Sequence, residues 1–385
     1  MRYDTIVVGA GPAGLVSARV IANKGFKVMI LEKERRLGVK SCGEACSTPT
    51  LIDSLVDPKG NFVVQDIKGA RIYAPNEKNI FIRGEVGVGC ILNKGLFLQH
   101  LASKAVEAGA EILMNSPVVE LQRKENLVRI NPRGAEFETK LLLGADGFTS
   151  NVAKKFGLEQ PGSREMIPCF QYHMVNCNFN DELVAEFYLG KKVAPLGYVW
   201  VFPKSGGKAN VGIGVRGSPA KPYLDKFIKN HPKIFSKACI IGVEGGPVTI
   251  GGLLEMVDDN IMLVGEAAGQ VIPLTGAGIH AGVVGAQMAA KTAIDALEAS
   301  NFSKSMLMSY PQKYNWYWGK RIKDSLKALR VLERLTDEDL NLLAELLDSN
   351  DIVDLANGLD IARVGRRFLR HPIFGLKLAT TLVTS

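Results

Sequence analysis

Three short segments of the chain combine residue types and spacings that do chemistry. The first is the glycine run Gly9-Ala10-Gly11-Pro12-Ala13-Gly14. Between a strand and a helix this spacing suits a pyrophosphate: Gly9 permits a tight turn, Gly11 lets the backbone approach phosphate, and Gly14 allows close helix packing. The helix N-terminus then faces the anion. Glu32 stands at the end of the next apolar run, where a carboxylate accepts ribose hydroxyls and repels a ribose phosphate, which disfavours an NADP-type ligand. Glycines also mark ordinary turns, so the string alone does not define a nucleotide site.

The second segment is Cys42-Gly43-Glu44-Ala45. Cys42 is either a buried, inert thiol or a proton-bearing group, and Glu44 reads as a structural carboxylate. The third runs from Gly265-Glu266-Ala267-Ala268-Gly269 through Pro273 to Gly276-Ala277-Gly278-Ile279 and opens a helix of small residues. Backbone N–H groups and the helix dipole there stabilise a negative charge, although the glycines also serve tight packing. Tyr198, Trp200 and Phe202 alternate along one strand and share a face, either of a closed core or of an apolar pocket. The five histidines lack metal-ligand spacing; only His280 lies near the third segment.

These residues need elements to position them. Thr5–Val8, Ala13–Lys24 and Lys27–Leu31 read as strand, helix and strand, a βαβ order. Strand-like pieces follow at Ala70–Tyr73 and Ile80–Arg83, then a helix from Asn93 to Ala108, a strand at Glu111–Met114 and a meander through Ile130. Leu141-Leu142-Leu143 is a buried strand ending in the turn Gly144-Ala145-Asp146-Gly147. Residues 165–250 are β-rich and antiparallel in pattern, Ile261–Val264 is a last strand, and the chain beyond 300 is helical, with leucines at 326, 329, 332, 335, 340 and 343.

With 385 residues, 46% of them hydrophobic, the chain is long enough for two or three packed units. The expected division is a discontinuous cofactor-binding unit over 1–65, 86–160 and 251–300, an antiparallel β unit over 66–85 and 161–250, and a helical region over 301–385. No apolar run is long enough for a membrane span and no leader opens the chain, so a cytoplasmic location is expected. The six cysteines form no zinc-ribbon or disulfide pattern. A net charge of +8 is dispersed, without a recognition motif, and no nucleic acid partner is expected. The exception is a C-terminal stretch bearing Arg363, Arg366, Arg367, Arg370 and Lys377 among apolar residues, which suits the anionic cytoplasmic face of a membrane, as it suits a solvated helical face.

Taken together, the motifs resemble those of the geranylgeranyl reductase family, of archaeal digeranylgeranylglycerophospholipid reductase type, within the p-hydroxybenzoate hydroxylase-like flavoproteins. Gly144-Ala145-Asp146-Gly147 matches the group's second motif and Gly265–Ile279 its third; Cys42-Gly43-Glu44 and Pro195-Leu196-Gly197-Tyr198-Val199-Trp200-Val201-Phe202-Pro203 match the reductase branch. The resemblance covers nearly the whole chain. It implies an α/β fold, a Rossmann-type FAD-binding domain with an inserted antiparallel-sheet substrate domain and a C-terminal helical region.

It also implies FAD held by Gly9, Gly11, Ala13, Gly14, Glu32, Cys42, Gly43, Ala45, Lys94, Val118, Asp146, Glu266, Gly278 and Ile279, with Tyr198, Trp200 and Phe202 along a prenyl pocket. Lys94 stands where arginine is common and Glu266 where aspartate is usual. The implied activity is reduction of carbon–carbon double bonds in geranylgeranyl chains of ether lipids, by hydride from reduced flavin and a proton from Cys42 or a water. Its electron donor would be a ferredoxin, a deazaflavin or a nicotinamide. The shared flavin motifs also fit a hydroxylase or halogenase-like monooxygenase, and a prenyl-lipid-binding flavoprotein without turnover is a further class.

Overall fold

The computed structural model describes residues 1–83, 89–132, 135–159 and 164–367. Its first layer is a sheet built around Arg2–Val8, which pairs in parallel with Val28–Leu31 on one side and Phe137–Gly144 on the other. Glu111–Leu113 and Ile261–Leu263 extend it in parallel at either end. The continuous apolar runs Ile6-Val7-Val8, Val28–Leu31 and Leu141–Leu143 are buried, as strands covered on both faces require. A hairpin of Val118–Lys124 and Leu127–Pro132 adds an antiparallel extension on Phe137–Gly144.

Helix Pro12–Ala22 packs against both Lys94–Glu107 and Ile279–Glu298. Small residues make the second contact close: a Cβ at Gly282 would lie 3.3 Å from Gly265 Cα and 3.8 Å from the Ala13 methyl. Ser17 lies in the same seam, its hydroxyl satisfied by the Ala13 carbonyl at 2.8 Å. Leu15, Val16 and Ile21 are fully buried in the core beneath, each stabilising the fold by roughly 1.5–3 kcal/mol.

The second layer is a sheet in the order Cys239–Thr249, Met166–Val175, Lys208–Gly214, Tyr198–Lys204, Val184–Leu189, Gly69–Tyr73, Asn79–Arg83. It is antiparallel except where Val184–Leu189 meets Gly69–Tyr73. Period-2 alternation divides it. Val199, Val201, Val211, Ile213 and Tyr172 face helix Ala220–Asn230 and its Leu224 and Phe227, so Trp200, Phe202, Gln171 and His173 face the other way.

A small third sheet, Ala45–Ser47, Gly89–Leu92 and Val63–Ile67, follows the Cys42 segment and has no clear sequence signature. It sets Cys46 opposite Cys90, their sulfurs 3.5 Å apart. The leucine series after 320 belongs to several helices rather than one: Lys320–Arg334 stops at Leu335, and Thr336 restarts the chain with a capping box to Asp339. Among the described residues no helix is long and apolar enough to cross a membrane. Arg370 and Lys377 lie outside the described residues. Arg363 and Arg367 pair with Asp351, and each reaches a second aspartate, Asp354 and Asp348 respectively, so the preceding helix compensates much of their charge.

Candidate active site

The glycine turn separates three roles by sterics. Gly9 sits at φ +104°, and a Cβ there would lie 2.4 Å from the Ala145 carbonyl oxygen; a Cβ at Gly14 would lie 2.0 Å from the Gly9 oxygen. Both are demanded by packing within the chain. Gly11 differs, because a Cβ there meets nothing within 4 Å. Protein packing does not explain that glycine, whereas a phosphate brought up to the backbone does. Gly11 is also the N-cap of Pro12–Ala22 and supplies no side-chain cap, which leaves the first N–H groups available to an anion. The residues present fit a dinucleotide.

Glu32 closes this end. Its carboxylate accepts from Ala10 N–H at 2.7 Å and Glu34 N–H at 2.9 Å, tying the turn to the second strand. Ser116 donates its N–H to the Glu32 carbonyl at 2.7 Å, which brings the start of the Val118 strand alongside. Ala13 is buried, its methyl facing Gly265.

Asp146 lies beside the turn but aims elsewhere. Its carboxylate accepts from the Ser150 hydroxyl at 2.6 Å and from the Asn151 and Val152 N–H groups at 2.7 and 3.1 Å. Burial nonetheless raises its pKa. The side chain therefore shapes the loop that abuts Gly9 and needs no ligand for satisfaction.

At the other end, Cys42 lines a cavity of 360 Å³ together with Arg36, Lys40, Glu44, Lys94, Gln99 and Glu244. Lys94 opens helix Lys94–Glu107; its ammonium donates to the Lys40 carbonyl, and burial holds its pKa below the usual lysine value. Lys40 in turn pairs with Glu266, whose other oxygen accepts from Thr249 N–H at 3.0 Å. The longer glutamate thus bridges the third motif to both the cavity wall and the second sheet. Gly278 is the N-cap of the 20-residue helix Ile279–Glu298, again without a side-chain cap. His280, by contrast, is engaged by Asp53 at 2.7 Å and by the Trp318 ring.

The Cys42 loop is held from the second sheet. Glu44, at φ 69°, accepts from Lys94 N–H at 2.8 Å on one oxygen and from Lys204 Nζ at 2.6 Å and Asn210 Nδ2 at 2.8 Å on the other. It is a structural carboxylate. Gln171 donates to the Cys42 carbonyl at 3.2 Å and accepts from Trp200 Nε1 at 3.0 Å. Gly43 lies over the aromatic strand: a Cβ there would be 3.0 Å from Phe202. Ala45 begins the small third sheet.

Glu244 and His173 complete the wall. His173 Nε2 is 3.1 Å from Glu244, and its Nδ1 is 2.7 Å from Asn210 Oδ1. The Glu244 carboxylate raises the His173 pKa, and His173 first, with Lys94 and the Cys42 N–H, lowers that of Glu244.

Tyr198, Trp200 and Phe202 do share a face, with Phe187 across the strand pair at 5.8 and 5.4 Å from Tyr198 and Phe202. They pack with Ile67 and Ile91 and do not line the 360 Å³ cavity, from which the Gly43 segment separates them. The Tyr198 hydroxyl donates to the Thr275 carbonyl, joining this strand to the third motif.

Residues that sequence reasoning missed are Arg36, Lys40, Gln99, Arg164, Gln171, His173, Lys204, Asn210 and Glu244. A signal existed for some: Gln171, His173 and Asn210 are polar residues at inward positions of otherwise buried strands. Arg164 is nine-tenths buried and donates to the Glu266 and Ala267 carbonyls, at 2.8 and 3.2 Å.

A parallel Rossmann-type sheet joined to a large mixed sheet, with the glycine turn and the Cys42 loop at the junction, is the architecture of p-hydroxybenzoate hydroxylase-like flavoproteins. Solved structures agree. The chain superposes on a geranylgeranyl bacteriochlorophyll reductase-like protein of Thermoplasma acidophilum with a TM-score of 0.88 at 30% identity, covering 99% of each chain. A flavin-dependent brominase shares the fold at TM-score 0.74 and 16% identity, covering 93% of this chain and 94% of that one.

Residues 165–248 match the model of the geranylgeranyl reductase catalytic domain, and residues 7–79 that of an NAD(P)-binding Rossmann-like domain. Digeranylgeranylglycerophospholipid reductase 2 of Methanopyrus kandleri is 35% identical over 100% of both chains. The digeranylgeranylglycerophospholipid reductase of Methanocaldococcus jannaschii is 33% identical over 92% of this chain and 93% of its own. The chain belongs to the geranylgeranyl reductase family, among the digeranylgeranylglycerophospholipid reductases.

Proposed function

We propose that this chain is an FAD-dependent reductase of carbon–carbon double bonds in the geranylgeranyl chains of archaeal-type ether phospholipids. One observation carries the reading of the site: Cys42 lines a cavity walled by Lys94 and Glu244, and its neighbour Gly43 lies against Phe202 of the aromatic strand. The thiol therefore stands between the dinucleotide unit and the apolar sheet face.

When bound, reduced FAD supplies the hydride. Gly9, Gly11 and Gly14 with the Pro12–Ala22 helix would hold its pyrophosphate, Glu32 and the Val118 strand its adenosine side, and Gly278 and Ile279 the flavin end. Ala13, Ala45, Asp146 and Glu266 would shape that cradle. An isolated alkene has no carbonyl to absorb charge, so alignment and a nearby proton govern the step.

Cys42 presents its proton on Sγ to the cavity. Glu244 and His173 hold a second proton beside it: the pair is stabilised in its charged form, and Asn210, itself held by Glu44, fixes the imidazole from the far side. The prenyl chain would reach Tyr198, Trp200 and Phe202 once the Gly43 segment that covers them moves aside; burying its apolar surface there, at roughly 25 cal/mol per Å², would bind it far from the reacting bond and position the alkene. Electrons would arrive from a ferredoxin, deazaflavin or nicotinamide donor, and the substrate from an anionic cytoplasmic membrane face.

Cys42→Ala tests the assignment. Flavin absorbance should remain stoichiometric while anaerobic reduction of a geranylgeranyl lipid falls about 100-fold, the usual scale of a lost general acid. Unchanged turnover removes Cys42 from the chemistry.

A further inference from the structure

Helices Ser309–Tyr314 and Lys320–Arg334 are joined by one π-helical turn, Asn315–Gly319. A π turn takes an extra residue, so two consecutive aromatics are carried outward while their flanks stay inside. Tyr310, Tyr314 and Trp318 are buried at 0%, 0% and 4% exposure; Trp316 and Tyr317 between them stand at 84% and 46%. The segment is not loose. The Arg321 guanidinium lies over the Trp318 ring at 4.1 Å, the His280 ring meets Trp318 edge to face at 5.0 Å, and the Tyr314 hydroxyl donates to the Ala281 carbonyl at 3.3 Å.

Basic residues surround the exposed pair at helical spacing: Lys313 before it, Lys320 and Lys323 after it, all exposed. Lys327 continues the line and pairs with Asp324 at 3.1 Å; among the described residues no ion pair engages Lys313, Lys320 or Lys323. Beside Trp316 and Lys313 lies a shallow apolar hollow of 550 Å³ floored by Met288.

We propose that this face is a membrane-docking surface that seats Trp316 and Tyr317 in the headgroup layer of an anionic lipid bilayer, with Lys313, Lys320 and Lys323 on the lipid phosphates. A lone exposed tryptophan is unremarkable; a Trp–Tyr pair held outward and flanked by lysines along one helical run has the composition of an interfacial belt. Charge selects the occupant. Lysine is depleted from protein–protein interfaces, because desolvating an ammonium against a neutral partner is costly, whereas an anionic leaflet attracts each one without desolvating it fully. The surface rests on exposure and charge and is independent of the chemistry assigned to Cys42. It also differs from the basic stretch at the C-terminus, where Arg363 and Arg367 are already paired with aspartates.

The test is flotation of the full chain with phosphatidylcholine vesicles, with and without phosphatidylglycerol. Binding should require the anionic lipid and weaken with salt. Trp316→Ala should lower the partition at least tenfold, Trp316→Phe should retain part of it, and Lys313→Gln and Lys320→Gln should each cost roughly fivefold, the value of one lysine at an anionic surface. All four should keep the wild-type melting temperature and the wild-type rate on detergent-dispersed lipid, since none lines the cavity. Absence of binding to anionic vesicles, or undiminished binding by the variants, overturns the proposal. So does concentration-dependent self-association that Trp316→Ala abolishes. If vesicle binding behaves as described while no alkene is reduced, the reductase reading fails and the docking surface stands.

Discussion

Gly11 and Gly14 sit three residues apart and answer to different forces. Gly14→Ala drives a methyl into the Gly9 carbonyl, 2.0 Å away, and should destabilise the fold by about 2 kcal/mol, read as a lower denaturation midpoint in flavin-free protein. Gly11→Ala meets open space in the chain itself. It should melt like the wild type yet bind FAD at least about tenfold more weakly, and equal FAD affinity would show that no phosphate approaches that backbone. The spacing of this turn was legible because its roles are local. The Glu244–His173–Asn210–Glu44 array was not, since its members come from three strands and a loop far apart in sequence, and only sheet register brings them together.

That array has a pH signature. The pKa of His173 is raised by the Glu244 carboxylate above the ordinary imidazole value of 6.5, so its stabilising contribution is complete below 6.5 and is lost as pH rises through the elevated folded value. The pKa of Glu244 is lowered below 4.5, so its contribution is present above 4.5 and lost as pH falls through the depressed value. The groups facing the pair are Lys94, Lys204 and the Cys42 N–H on neighbouring elements. Melting temperature should therefore fall as pH rises past neutrality in the wild type and fall less in His173→Gln. Parallel profiles for the two proteins would remove this coupling.

At the scale of elements, the helical tail is latched to the second sheet by a ring of charges. Arg216 on the segment after Lys208–Gly214 and Arg330 on Lys320–Arg334 each pair with both Glu165 and Glu333. The ring is partly solvated, so the stability lost in Arg330→Met should be modest, about 1 kcal/mol, and should shrink in high salt. A salt-independent loss would mean that packing, not charge, makes the contact. The βαβ unit and the β-rich stretch were readable because apolar runs and period-2 alternation are local signals. The three-stranded sheet around Cys46 and Cys90 escaped because its strands are short and their partners distant. The helical character beyond 300 was readable from the leucine series, but that series runs straight across the break at Leu335, which only the Thr336 capping box marks.

Across the whole molecule, two sheets meet at a loop, and the reaction assigned to their junction needs something from each. The first brings the dinucleotide turn and Lys94; the second brings Gln171, Glu244 and the aromatic strand, and the Tyr198–Thr275 bond couples it to the third motif. The motifs made this plan visible before the structure, whereas the cavity's charged lining emerges only from the fold. The most direct measurement is an anaerobic single turnover: photoreduced, FAD-loaded protein mixed with digeranylgeranylglycerophospholipid, followed by flavin absorbance and by mass spectrometry of the lipid. The reductase assignment requires flavin reoxidation without oxygen and lipid mass gains in steps of two hydrogens, slowed about 100-fold in Cys42→Ala. Flavin that stays reduced until oxygen is admitted, with oxygen then found in the product, would contradict it.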